Sequence, residues 1–241
     1  MSRFAVSAMA GILALGSFAV AQLVRAQSVG FEVALNGKNV GTASYEHVAT
    51  PEGYRSTSIV HVGMQGLDYS LSKSEQLSPA RDFEHVRLNA VVNEDAVTIV
   101  GASESGQIVL DVSASGRKTT MRLPAHTGAV FIPDFDPGAL QTLLAIAVER
   151  NNRDLWAIIP KKQGSVEPIQ LATYQDEQGT LDGHPIVVHH LVATIADTKT
   201  DLFSGPDNSL LQAELPQQGF SLVRTGFLLK PPKHAPAPPA Q

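Results

Sequence analysis

The chain has 241 residues, 18 Lys and Arg against 23 Asp and Glu, a net charge of −5, and no cysteine. Its length and 43% apolar content suit one globular domain with a sizeable core and exclude an extensively disordered chain. The missing cysteines exclude a disulfide scaffold, a thiolate zinc site, an iron–sulfur cluster and a cysteine hydrolase, and no basic surplus exists for nucleic acid.

The N-terminus reads as a targeting segment. Arg3 precedes a run from Phe4 to Ala21 that carries no charge, with Ile12, Leu13 and Leu15 at its heart. Small-residue sites follow, Ala19-Val20-Ala21 and Val24-Arg25-Ala26. This order is that of a signal peptide over residues 1–26, cut after Ala21 or Ala26. The mature chain is then soluble and periplasmic or secreted. The alternative is a retained N-terminal membrane anchor, because such a run just spans a bilayer core of about 30 Å.

Strands come next. Phe31, Val33 and Leu35 alternate with polar or small residues, and Asn36-Gly37 turns the chain into Val40–His47, a hairpin. Tyr54–Val62 follows Pro51-Glu52-Gly53. Leu67, Tyr69 and Leu71 are spaced by two, as are Ile108, Leu110 and Val112. Phe83–Val92, Val97–Ala102 and Thr119–Leu123 complete an antiparallel meander punctuated by glycine turns.

One segment departs from this pattern. Leu140, Leu143, Leu144, Ala147 and Val148 recur at helical spacing behind Asp136-Pro137-Gly138. The spacing predicts a helix over 137–150, with Asp136 as N-cap and Pro137 at the first helical position. Its leucine face has only the sheet to bury itself against. Extended segments resume at Leu155–Lys161, Glu167–Asp176, His184–Ala196, Thr198–Phe203, Leu210–Leu215 and Phe220–Leu229. The fold class is α+β, mainly β: a long curved antiparallel sheet, a half-barrel-like meander, with one central amphipathic helix. A single β-rich domain covers 27–229, and residues 230–241, with five prolines, form a disordered polyproline-like tail.

Signals of chemistry are sparse. His184, His189 and His190 cluster, but in a strand His189 and His190 face opposite ways, while His184 and His190 stand about 20 Å apart, so no metal site is expected. Asp134 and Asp136 flank Phe135, and Asp136 already has the cap as its task. No nucleophile elbow, P-loop, dinucleotide fingerprint or H-E-x-x-H motif is present. No cofactor is expected. The apolar stripes remain, either as a filled core or as the wall of a cavity that a curled sheet encloses beneath the helix.

The stretch from Phe31 to Gly41, FEVALNGKNVG, resembles the opening of an exported bacterial β-rich family of unknown function, which reads aromatic-x-V-x-x-N/D-G-x-x-[VI]-G. Ser209–Pro216 and Gly219–Arg224 resemble that family's closing hairpin. The family is similar in outline to periplasmic lipoprotein carriers of the LolA/LppX type, a half-barrel covered by helices that holds acyl chains. The resemblance implies an exported non-enzymatic protein that binds an apolar or lipid ligand, or an envelope protein, between sheet and helix. Leu67, Tyr69, Leu71, Leu140, Leu143, Leu144 and Ala147 are the expected lining. The alternatives are an envelope interaction or scaffolding module with a filled core, and a hydrolase whose site is not legible.

Overall fold

The computed structural model describes residues 28–161 and 164–230. The signal segment and the proline-rich tail beyond Lys230 lie outside the described residues. Eight strands run in chain order, each antiparallel to the next: β1 (Val29–Leu35), β2 (Lys38–Thr50), β3 (Gly53–Met64), β4 (Leu67–Leu77), β5 (Phe83–Val92), β6 (Asp95–Glu104), β7 (Gln107–Ala114) and β8 (Arg117–Pro124). The β1–β2 turn places Asn36 at φ 49° and Gly37 at φ 78°. Two successive positive φ values match the twist of a two-residue hairpin, which is why Asn-Gly occupies it.

After β8 come β9 (Ala129–Phe131), α1 (Pro137–Glu149), β10 (Leu155–Ile159), β11 (Ser165–Thr173), β12 (Glu177–Leu181), β13 (His184–Ile195), β14 (Thr198–Ser204), β15 (Leu210–Leu215), β16 (Phe220–Arg224) and β17 (Phe227–Leu229). β16 pairs with β1, so the two runs of strands join into one long curved sheet that does not close. The expected mainly antiparallel sheet, with a single helix, is what the described residues form.

Three elements differ from expectation. β9 is parallel to β10, through Trp156↔Ala129 and Ile158↔Phe131. β12 forms where a turn was expected, between β13 and β17. The last extended run is cut into β16 and β17 at Gly226, φ 82°.

Helix α1 packs on β2, β3, β9, β10 and β15. Asp136 caps it as expected, its Oδ1 accepting from Gly138 N at 2.8 Å. Ala139, Leu143, Leu144, Ile146 and Ala147 are buried among Val60, Leu71, Phe131 and Leu210 in one core. Val148, expected on the apolar face, is 54% exposed. It lies about 140° round from Leu143, at the middle of the buried stripe.

Leu144 is 3% exposed, so its neighbours have nowhere to relax. Leu144→Ala is expected to cost about 2–5 kcal/mol and Leu144→Trp about 1–3 kcal/mol by overpacking, read from urea unfolding curves.

Candidate functional site: two clefts flanking one helix

The turn of a helix sends Leu140 and Leu143 to one side of α1 and Gln141, Ala145 and Glu149 to the other. Each side faces a cleft. The first has a volume of about 540 Å³ and lies between α1 and β13–β16, with Leu67, Ile132, Phe135, Leu140, Leu143 and Phe220 among its walls. Phe135 holds φ 56°, a left-handed conformation that costs a bulky residue energy. Its ring packs edge-on against Phe220 at 4.7 Å and Tyr69 at 5.8 Å, and these contacts hold it there.

Of the seven residues expected to line a ligand site, Leu67, Leu140 and Leu143 reach this cleft. Tyr69, Leu71, Leu144 and Ala147 are buried core residues outside its lining. Tyr69 still shapes the rim, its hydroxyl donating to Asp134 O at 3.3 Å. Burial, then the charges of Asp134 and Asp136, push its phenol above the ordinary range. Asp134 and Lys161 form an ion pair at the mouth, with side chains 40% and 57% exposed. The parallel β9–β10 pairing brings them together, because each follows one of these strands.

Beneath the helix start lies a fully buried charge cluster. Lys73 Nζ is 2.7 Å from Asp136 Oδ2 and 3.0 Å from Glu75 Oε2. Burial works against the Lys73 ammonium, but Asp136 and Glu75 outweigh it and hold the group above its ordinary value. For Glu75, burial dominates over Lys73 and pushes the carboxyl above its usual range. One ammonium faces two carboxyl groups. Gly138 is required here, since a Cβ would stand 2.3 Å from Ser58 Oγ. Sequence reasoning missed the cluster. The signal was the alternation Tyr69, Leu71, Lys73, Glu75, Leu77, which sets two charges in inward positions of β4.

The second cleft, about 440 Å³, lies between β2, α1 and residues 207–209. It is polar. Gln141 Oε1 accepts from Tyr45 Oη and Leu210 N, both at 2.8 Å. Burial, more than Arg224 or Asp207, pushes the Tyr45 phenol up to about 12. Arg81 pairs with Glu149 and lies 3.7 Å over the Tyr54 ring. His47 is in the wall, with both ring nitrogens buried and unpartnered in the protein. Burial first, then Arg81 and Lys73, lower it to about 4, so the ring is neutral.

The clustered histidines do other work. His190 Nε2 meets Asp201 Oδ1 at 2.9 Å and Nδ1 meets Glu177 Oε1 at 3.4 Å, with the ring between Tyr174 and Phe203. His189 Nδ1 meets Asp176 at 2.9 Å. At this point β13 exchanges β12 for β11 as its neighbour. Among the described residues, no group of three or more His, Asp or Glu is placed to hold a metal ion.

No protein family and no solved structure matches the chain. A curated protein of Acetoanaerobium sticklandii named 2,4-diaminopentanoate dehydrogenase is 23% identical over 208 residues, 78% of this chain. The match spans 58% of that protein's length. Its name is that of an enzyme. This overturns the expectation of a non-enzymatic carrier of apolar or lipid ligands, and the non-enzymatic scaffold alternative with it.

The His47 shift generates a pH dependence. Between pH 6.5 and about 4 the unfolded imidazole binds a proton that the folded one does not. Stability therefore falls as pH falls through that window, by about 3 kcal/mol for this group. His47→Gln is expected to remove this part of the slope, seen by comparing urea unfolding at the two ends of the window.

Proposed function

We propose that the chain is an enzyme that holds a small molecule, a short carbon chain with ionic ends, in the cleft between α1 and β13–β16. The observation that carries this reading is the Asp134–Lys161 pair at the mouth of a mainly apolar cleft, whose other polar lining residues are Asp136, Thr198, Thr200 and Gln218. A few charged groups on apolar walls orient a ligand, while the walls supply the burial. An exposed ion pair contributes little stability, so exchanging it for ligand charges costs little. An ammonium takes Asp134, a carboxylate takes Lys161, and the carbon chain displaces water from Leu67, Leu140, Leu143 and Phe220. The substrate named for the relative is a diamino acid, with amino groups and a carboxylate on a short chain.

Dehydrogenation also needs a hydride acceptor. The described residues do not fit a dinucleotide, whose phosphates rest on an open helix N-terminus behind a glycine-rich turn. At the start of α1 the Asp136 carboxylate already accepts from Gly138 N, Ser58 Oγ lies over Gly138, and Asp136 and Gly138 are buried. The reading for this chain is therefore capture and orientation of an amino acid. The secretory pattern of residues 1–26 supports an exported protein.

Calorimetric titration with 2,4-diaminopentanoate tests the reading, with pentanoate as the ligand lacking amines. Asp134→Asn and Lys161→Met are each expected to weaken binding about 10–100-fold, the worth of one hydrogen bond to a charged group. Absence of binding, or binding indifferent to both substitutions, removes the reading.

A further inference from the structure

Three ionisable side chains meet at one atom under the start of α1. Lys73 Nζ lies 2.7 Å from Asp136 Oδ2 and 3.0 Å from Glu75 Oε2, and all three side chains are fully buried. Lys73 and Glu75 stand on β4, whereas Asp136 caps the helix. Within the sheet Lys73 stands between Ser58 and Leu88, and Glu75 between Ser56 and Val86, all four buried. A row further along the same strands is apolar: Ala43, Val60, Leu71 and Ala90 are opposed and buried. The sheet can thus be filled with apolar side chains, which replace a buried ion pair at little or no loss of stability. Packing the helix does not by itself call for these charges.

The same three groups are the parts of an amide condensation. An amine attacks a carbonyl carbon when the two are held about 3–3.5 Å apart and aligned. Asp136 Cγ is one C–O bond, about 1.2 Å, beyond Oδ2, so it lies at most about 4 Å from Nζ. Asp136 Oδ1 accepts from Gly138 N at 2.8 Å. That N–H, at the positive end of a helix, is placed to hold the charge that gathers on Oδ1 during attack. Glu75 Oε2 accepts a hydrogen bond from Nζ, so a base touches the attacking atom. In water an ammonium and a carboxylate persist because hydration favours the ions. Burial strips that hydration, and an amide has no charge to bury.

We propose that Lys73 and Asp136 become joined by a side-chain amide, Nζ to Cγ, which forms within the folded protein with Glu75 as proton carrier. One ammonium hydrogen passes to Oδ2, leaving a free amine and a carboxylic acid. The amine lone pair attacks Cγ and forms the C–N bond, and Oδ1 takes the charge against Gly138 N–H. Glu75 takes a second hydrogen from the nitrogen and delivers it to Oδ2. The Cγ–Oδ2 bond breaks, and Oδ2 leaves with both hydrogens as water. The third hydrogen stays on the amide nitrogen, Glu75 regains its starting state, and nothing is oxidised or reduced. The product fastens the helix cap to β4 covalently. It does not rest on the reading of either cleft.

Mass spectrometry of tryptic fragments, from purified protein unfolded before digestion, tests the bond. The linked species joins Ser56–Arg81, uncut at Lys73, to Leu123–Arg150, at their summed mass less one water. Fragmentation is expected to place the junction at Lys73 and Asp136. A succinimide at Asp182-Gly183 would also lose one water, but it links no two fragments. Lys73→Met is expected to abolish the linked species. Glu75→Gln, which cannot take up the proton, is expected to slow its formation about 100-fold, leaving freshly purified protein unlinked. Circular dichroism of the same sample checks that this variant keeps its sheet. Unsubstituted protein cut at Lys73, with both fragments at full mass, would overturn the proposal whatever the variants do. A fully linked Glu75→Gln protein would overturn the part given to Glu75.

Discussion

The Lys73–Asp136 ion pair ties the one helix to the sheet, and both clefts depend on it. Asp136 divides its two oxygens between tasks. Oδ1 closes the first turn of α1, and Oδ2 meets an ammonium that rises from β4. Position and direction of the helix are thus set at one residue. Burying charge in a protein interior is costly unless a partner is at hand, and removing one partner leaves the other stranded. The geometry is therefore narrowly specified: a helix displaced from this point would abandon Lys73 among carboxylates too few and too far.

The consequence of that fixed helix is a division of the sheet's covered face into two environments. Leu140 and Gln141 are neighbours in sequence, but about 100° apart around the axis. One looks into walls of leucine and phenylalanine, the other into arginine, glutamate and histidine. A single amphipathic element makes both, because its apolar stripe is narrower than the surface it has to cover. Val148 shows the limit of the stripe, standing exposed beside the polar cleft.

Much of the fold was legible because its signals are local. Asn36-Gly37 announces its hairpin through backbone strain that only a few residues relieve, and Asp136-Pro137 announces the helix in the same way. Strand alternation told which residues face inward, but not what lies above them. Hence Leu140 and Leu143 border a cleft, while Tyr69 and Leu71, equally inward, are buried core residues outside its lining. β9 was illegible because three residues buried on both faces show no alternation, and its parallel partner arrives only after an intervening helix. The same pairing joins Asp134 to Lys161, so the rim of the first cleft had no local signature either. β12 lies between the expected runs Glu167–Asp176 and His184–Ala196, and Gly179 at its centre lets the β17 backbone pack closely against it.

An open sheet has ends, and one of them is β8. Among the described residues it has a strand partner on one side only, β7. Its other side lies near β11 and Gly164 with no backbone ladder among the described residues, and strand edges of this kind in many β proteins recruit a second copy and seed fibres. Arg117, Lys118 and Arg122 stand exposed along this strand. Two such edges approaching each other would set cation against cation before any backbone bond could form. The charge on this strand thus keeps the sheet finite, protecting a long curved surface from growing past its own last strand.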